Sequence, residues 1–377
     1  MTVDLNAGES LGQTRARSPE RPGDAATTIA GRLLDRLGRA LFVMIAGAAL
    51  LAAGAWAIGA LVLVETPMPT LRKAIAVAVG IGAIIAAIQV ARGARGRALV
   101  PAAVALLAIL GWYRTIEPSN DRSWLPDVAR IPSARIEGDV VTVENVRNFT
   151  YRSRDDFDQV WETRQFRLSE LDSLWLVMSF WGPRYICHTF VSFGFEDGSY
   201  ISMSIETRKR QGQHYSAIRG LFRVFGLAYV IADERDLIGV RTNIRREDVY
   251  LYRIPIEPLR LRGLFIDYLD GANQLAKRPE WYNAVTNSCG INVLYAFWSG
   301  ERTHRFNPKL LLNGLWDYYA WQSGNLGPGM TFGEVRAAAA IDALAREGDA
   351  GAADTGFSRR IRTRPTDEKD VDWLGDS

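Results

Sequence analysis

The chain has 377 residues, 48% of them hydrophobic, with a formal net charge of +3 at pH 7. So small an excess of positive charge gives no basis for nucleic acid as a partner, and the length allows two or three modules. The three histidines and two cysteines never recur with other ligand types at zinc spacing, so neither a metal nor another cofactor is expected.

Residues 1–38 are rich in Thr, Ala, Gly, Pro and Arg and begin without apolar periodicity; they read as a disordered tail. They do not form a cleavable signal peptide, because the apolar stretch starts late and runs too long. Residues 40–64 are an uncharged run of 25, enough to span a bilayer, and 74–91 form a second run of 18. A third, 98–113, has 16 residues and ends on the interfacial pair Trp112–Tyr113. As a helix it reaches about 24 Å, short of the roughly 30 Å hydrocarbon core. Arg32, Arg36, Arg39, Arg92, Arg95 and Arg97 outnumber Arg72, Lys73, Arg114 and Arg122 on the opposite side. Three spans with that bias put the N-terminus in the cytoplasm and everything past residue 114 outside; without a crossing by the third, the large domain is cytoplasmic instead.

From 120 to 347 the composition turns globular, and from 348 to 377 it returns to a loose tail. Strands are expected within 139–168, over "ELDSLWLVMSFW", and in a hairpin "YICHTFVSFGFEDGSYISMSIETR" turning at Asp197–Gly198. Another is expected over "REDVYLYRI", with Val249, Leu251 and Arg253 on one face. Helical spacing follows through Leu261, Leu264, Phe265 and Tyr268. Asn287 or Ser288 then caps a helix carrying Ile291, Leu294, Tyr295 and Trp298. Strands first and helices later make an α+β domain.

Cys289 falls where that last helix begins. The free backbone N–H groups of a first turn favour a thiolate there and can stabilise an oxyanion. His188 lies in the first hairpin strand and the adjacent Cys187 on its opposite face. Whether Glu206 joins His188 depends on register. A two-residue Asp197–Gly198 turn leaves it on the wrong face, whereas a three-residue turn including Ser199 sets it diagonally beside the imidazole. The alternatives for the cysteines are core packing, or a disulfide with each other, which an extracytoplasmic location permits.

Four stretches together resemble the periplasmic domain of the Lnb-type lipoprotein N-acyltransferases: "HTFVSFGFEDGSYISMSIETR", "LAYVIADERDLIGVRTNIRREDVYLYRI", "RPEWYNAVTNSCGINVL" and "GFSRRIR". The resemblance implies a permuted papain-like (NlpC-type) domain behind a transmembrane hairpin and third helix. It places the nucleophile on Cys289, the catalytic histidine on His188 and the orienting carboxylate on Glu206. Substrate or structural support falls on Asn287, Asn292, Arg208, Glu234, Arg235, Asp236 and Arg241. Ser288 and Gly290 depart from the family's Asn-Asn-Cys-Thr motif. The implied activity moves a fatty acyl chain from a phospholipid donor to the α-amine of a lipoprotein acceptor. The rivals are a papain-like amidase or peptidase and a membrane-anchored binding module without catalysis.

Overall fold

The computed structural model describes residues 22–286, 290, 312–348 and 354–363. Two compact units divide the chain. One holds the residues up to Val62 and Met68–Tyr113; the other holds Leu63–Pro67 and everything from Arg114 onward.

Among its described residues, the first unit contains three helices long and apolar enough to cross a membrane: α1 (Pro22–Leu63), α2 (Pro69–Ala91) and α3 (Arg95–Arg114). Helix α1 starts inside the segment expected to be a disordered tail. No proline lies between Gly23 and Leu63, and extending an established helix adds a hydrogen bond for each residue fixed. Helix α3 is likewise longer than its uncharged run. Its 20 residues span about 30 Å, which removes the shortfall. Small residues let the helices approach closely: a Cβ on Gly54 would sit 2.8 Å from that of Ala83. Ala57, Leu61, Ala76 and Ile109 form the buried contact, with Trp56 edge-on to Tyr113 at 5.3 Å.

The second unit is built on an eight-stranded sheet in the order β1-β2-β9-β8-β7-β6-β10, with β5 also on β2. The central strands are β6 (Leu171–Phe180), β7 (His188–Phe195), β8 (Tyr200–Arg208) and β9 (Gly226–Ala232). They are flanked by β10 (Asp248–Ile254), β1 (Ser133–Glu137), β2 (Val140–Arg147) and β5 (Trp161–Arg167). A separate pair, β3 (Thr150–Tyr151) and β4 (Phe157–Asp158), lies off the sheet. All neighbours are antiparallel except β2–β9, joined at Arg147 and Ala232.

The sheet buries both faces. Helix α5 (Pro258–Lys277) covers one, its Phe265 meeting Phe193 at 5.0 Å and Phe195 at 5.9 Å. The other carries Val177, Phe190, Val230 and Val249, covered by α4 (Glu234–Leu237) and a wide π-helical turn over Val240–Arg245. Arg253, expected on the Val249–Leu251 face, is exposed near the strand end. Further along, α6 (Trp316–Gln322), α7 (Phe332–Ala339) and α8 (Asp342–Arg346) close the core beside β6 and β10.

The C-terminal segment is not a loose tail throughout. Residues 354–363 carry α9 (Phe357–Arg360), with Phe357 and Ile361 buried in the same cluster as Val230. Those two side chains, one helical turn apart, give the segment an apolar face to bury. Arg362 then makes two bonds to the fully buried Glu234, at 2.8 and 2.6 Å.

Candidate functional site

The β7–β8 hairpin turns in neither of the two expected ways. Its loop is Glu196–Asp197–Gly198: the Phe195 N–H donates to the Ser199 carbonyl at 3.0 Å, and Gly198 takes φ +80°. Gly194 then faces Tyr200, and Val191 faces Met203. That register keeps His188 and Glu206 on one face of the sheet and sets them across from each other. The His188 Nε2 lies 3.1 Å from Glu206 Oε1 and 2.8 Å from the Ser204 hydroxyl, which itself donates to the same carboxylate oxygen at 2.9 Å. From the π-helical turn, the Arg241 Nη2 donates to Glu206 Oε1 at 2.8 Å, its guanidinium 4.8 Å from the centre of the Phe190 ring.

Glu206 is thus gripped from three sides. Burial alone would push its carboxyl up; His188 and then Arg241, with the hydrogen bonds from His188 and Ser204, outweigh that and hold it well below the ordinary glutamate value of 4.5. The carboxylate, hydrogen-bonded to Nε2, fixes the orientation of the His188 ring.

His188, Glu206 and Arg241 line a cavity of about 590 Å³. Apolar side chains form much of the remaining wall, among them Trp181, Ile186, Tyr215 and Val285. A volume of this size and a mixed lining suit a small molecule or part of a larger one. Cys187 also reaches the wall but packs, 2% exposed, among Leu176, Met178 and Trp316, as its place opposite His188 requires.

Cys289, Asn287 and Asn292 lie outside the described residues, as does the helix expected over 291–298. Gly290, the residue bonded to Cys289, is described. It is buried, lines the same cavity as His188, and stands so close to Asn313 that a Cβ there would meet its Cβ at 3.2 Å.

Sequence reasoning missed Asn313. Its side chain clasps the backbone of Cys187 from both sides, accepting from the N–H at 3.2 Å and donating to the carbonyl at 2.6 Å. It thereby fixes the start of β7 next to Gly290. Gly314 beside it has no room for a side chain, since a Cβ would stand 2.3 Å from the Arg184 carbonyl oxygen. Ser204 was legible in principle, because it sits two residues from Glu206 on the same strand and therefore on the same face.

The other candidate residues are structural braces. Asp236, fully buried, takes two bonds from the Arg147 Nε and Nη2 at 2.9 and 2.8 Å and one from the Phe149 N–H at 2.7 Å. Arg235 holds Asn148, Thr150 and the Phe149 carbonyl. Glu234 accepts from Ser192 as well as Arg362. Arg208 donates to the carbonyls of Val128 and Ala129 and stacks on Trp124; burial pushes its guanidinium down to about 10. Of the support residues expected from sequence and described, only Arg241 reaches the cavity wall.

A family model described as the Lnb N-terminal periplasmic domain matches residues 157–320. No curated protein and no solved structure matches the chain. The matched stretch runs from β4 into α6 and holds His188, Glu206, Arg241, Gly290 and Asn313. Three helices long and apolar enough to cross a membrane precede it. The sheet and cavity that follow those helices are, over residues 157–320, similar to the Lnb N-terminal periplasmic domain.

Proposed function

We propose that the chain is an inner-membrane acyltransferase, with Cys289 as nucleophile and His188 as its acid and base. The observation that carries this reading is that Gly290, bonded to Cys289, lines the same cavity as the His188–Glu206 pair. The chain order, histidine strand first and cysteine later, also suits a permuted papain-like domain.

In the first half-reaction the Cys289 thiolate attacks the ester carbonyl of a phospholipid. An S–acyl bond forms, the O–acyl bond breaks, and His188 gives its proton to the departing alcohol. In the second, the free α-amine of a diacylglyceryl-cysteine lipoprotein attacks the thioester. An N–acyl bond forms, the S–acyl bond breaks, and His188 takes the proton lost from nitrogen while the sulfur leaves as thiolate. With Nε2 facing Glu206, the ring exchanges protons through Nδ1. Glu206 and Arg241 are positioning residues in this scheme.

Intact mass spectrometry tests it. Incubation with phospholipid should add one fatty acyl mass, removable by neutral hydroxylamine and absent from Cys289→Ala. A diacylglyceryl-cysteine peptide with a free amine should discharge the adduct faster than its N-acetylated form. Equal discharge by both peptides would make the protein a hydrolase. An unchanged mass, together with a functional Cys289→Ala in cells, would leave a binding module.

A further inference from the structure

The loop between β8 and β9 grips two short stretches that each adjoin an apolar helix. Glu65 sits in the Leu63–Pro67 link between α1 and α2, a link that belongs to the globular unit. Its carboxylate accepts from the Arg219 Nη2 at 2.6 Å, from the Gln213 side chain at 2.9 Å, and from Arg210. Just past α3, the Ile116 carbonyl accepts from the Arg223 Nη1 at 2.9 Å and the Trp281 Nε1 at 3.2 Å. By chain order, the end of α1, the start of α2 and the end of α3 emerge on one side of a membrane that all three cross. A loop bonded to both stretches is therefore held at that membrane surface.

The same loop exposes large apolar side chains: Tyr215 at 48%, Ile218 at 67% and Leu221 at 43%. Val285, 54% exposed, adjoins them, since the Ala284 N–H donates to the Gly220 carbonyl at 2.8 Å and Asn283 to that of Leu221 at 3.3 Å. Tyr215 and Val285 also border the cavity. So many exposed apolar residues in one place mark an interaction surface. The cations at the base of the loop already hold Glu65 and the Ile116 carbonyl, so the exposed stretch from Tyr215 to Leu221 is mainly apolar, with Gln211 and His214 exposed before it.

We propose that this surface docks on the lipid leaflet from which the helices emerge, Ile218 and Leu221 entering the boundary between headgroups and acyl chains. The cavity mouth then opens beside lipid, and an acyl chain reaches His188 without crossing water. That access route rests on the acyl-transfer reading; the docking itself does not.

Photolabelling tests it on the full-length protein. The protein is placed in nanodiscs of phosphatidylethanolamine and phosphatidylglycerol carrying a trace of phospholipid with a diazirine on its acyl chain. Labelled peptides are then mapped by mass spectrometry. Label should concentrate on peptides holding residues 214–223 and 279–286. Ile136 and Val160, exposed at 37% and 42%, serve as apolar controls and should stay nearly unlabelled. The double variant Ile218→Asp, Leu221→Asp should keep its thermal midpoint, because both residues are on the surface, and should lose labelling roughly tenfold. Labelling of the loop no higher than the controls, or unchanged in the double variant, would overturn the proposal. So would protection of the loop by a co-purifying protein in place of lipid. Cys289→Ala is run alongside: loop labelling without any acyl adduct in the wild type would keep docking and sink acyl transfer. An adduct without loop labelling would do the reverse.

Discussion

Glu206 is held charged by the groups around it, His188, Arg241 and Ser204, and this makes it a measurable residue. Its carboxyl is held below the ordinary value of 4.5 in the folded state, so the unfolded chain binds the proton more readily. The stability this contributes is fully present above the ordinary glutamate value and is lost as pH falls through the lower, folded one. Glu206→Gln should therefore be less stable than the wild type at neutral pH, with the gap in thermal midpoint closing as the solution is acidified. Tryptophan fluorescence melts of the detergent-solubilised full chain would show it, and parallel curves would refute it. The same variant should form the acyl adduct roughly tenfold to a hundredfold more slowly, less than the loss from His188→Ala, since general acid–base catalysis contributes about 10²–10⁴. The pairing itself was within reach of the sequence. A three-residue hairpin loop places its left-handed residue last. A glycine at 198 in that position selects 196–198 as the loop and sets His188 against Glu206.

At the level of elements, the alternating strands and the α5 helix were legible because each shows its apolar period to a single neighbour. Leu261, Leu264, Phe265 and Tyr268 are all buried, as their spacing requires. The charged residues were not legible. Glu234 and Asp236 lie in a polar stretch that resembles a solvated loop, and only the tertiary fold brings in their cations, Arg147 to Asp236 across 89 positions and Arg362 to Glu234 across 128. The segment 354–363 shows the consequence. It follows a Gly/Ala-rich stretch, yet Arg362 supplies the cation that faces Glu234. Removing one partner from a buried pair leaves an uncompensated charge, at about 3–5 kcal/mol. Arg362→Ala should destabilise the protein by that much. Arg362→Met combined with Glu234→Gln should recover part of it, because no charge is then stranded. Thermal melts of the two variants decide the matter: if the double variant is no more stable than Arg362→Ala, the segment acts by packing through Phe357 and Ile361 alone.

For the whole molecule the decisive quantity is the number of crossings. Among the described residues three helices are long and apolar enough to cross, and crossing by all three sets the start of α1 and the residues just after Arg114 on opposite sides of the membrane. The likeness of residues 157–320 to a periplasmic domain fits the expected cytoplasmic N-terminus. The arginines agree: Arg32, Arg36 and Arg39 lie ahead of the uncharged part of α1, Arg92 lies between α2 and α3, and Arg95 and Arg97 lie in the first turn of α3. The helix most open to doubt from sequence was the third, and its extension back to Arg95 gives it the length it lacked. Spheroplasts of cells expressing the protein with an N-terminal tag should lose the domain to added protease while keeping the tag. If α3 failed to cross, tag and domain would share the cytoplasm and both would survive until lysis. Replacing Arg92, Arg95 and Arg97 with glutamine removes the charge that keeps the α2–α3 link inside. That variant should produce a fraction of chains with a protected domain, and N-acylation of lipoproteins in those cells should fall in proportion, since a domain trapped in the cytoplasm meets no lipoprotein acceptor. An unchanged protease pattern would mean that the charges before α1 suffice to set the orientation.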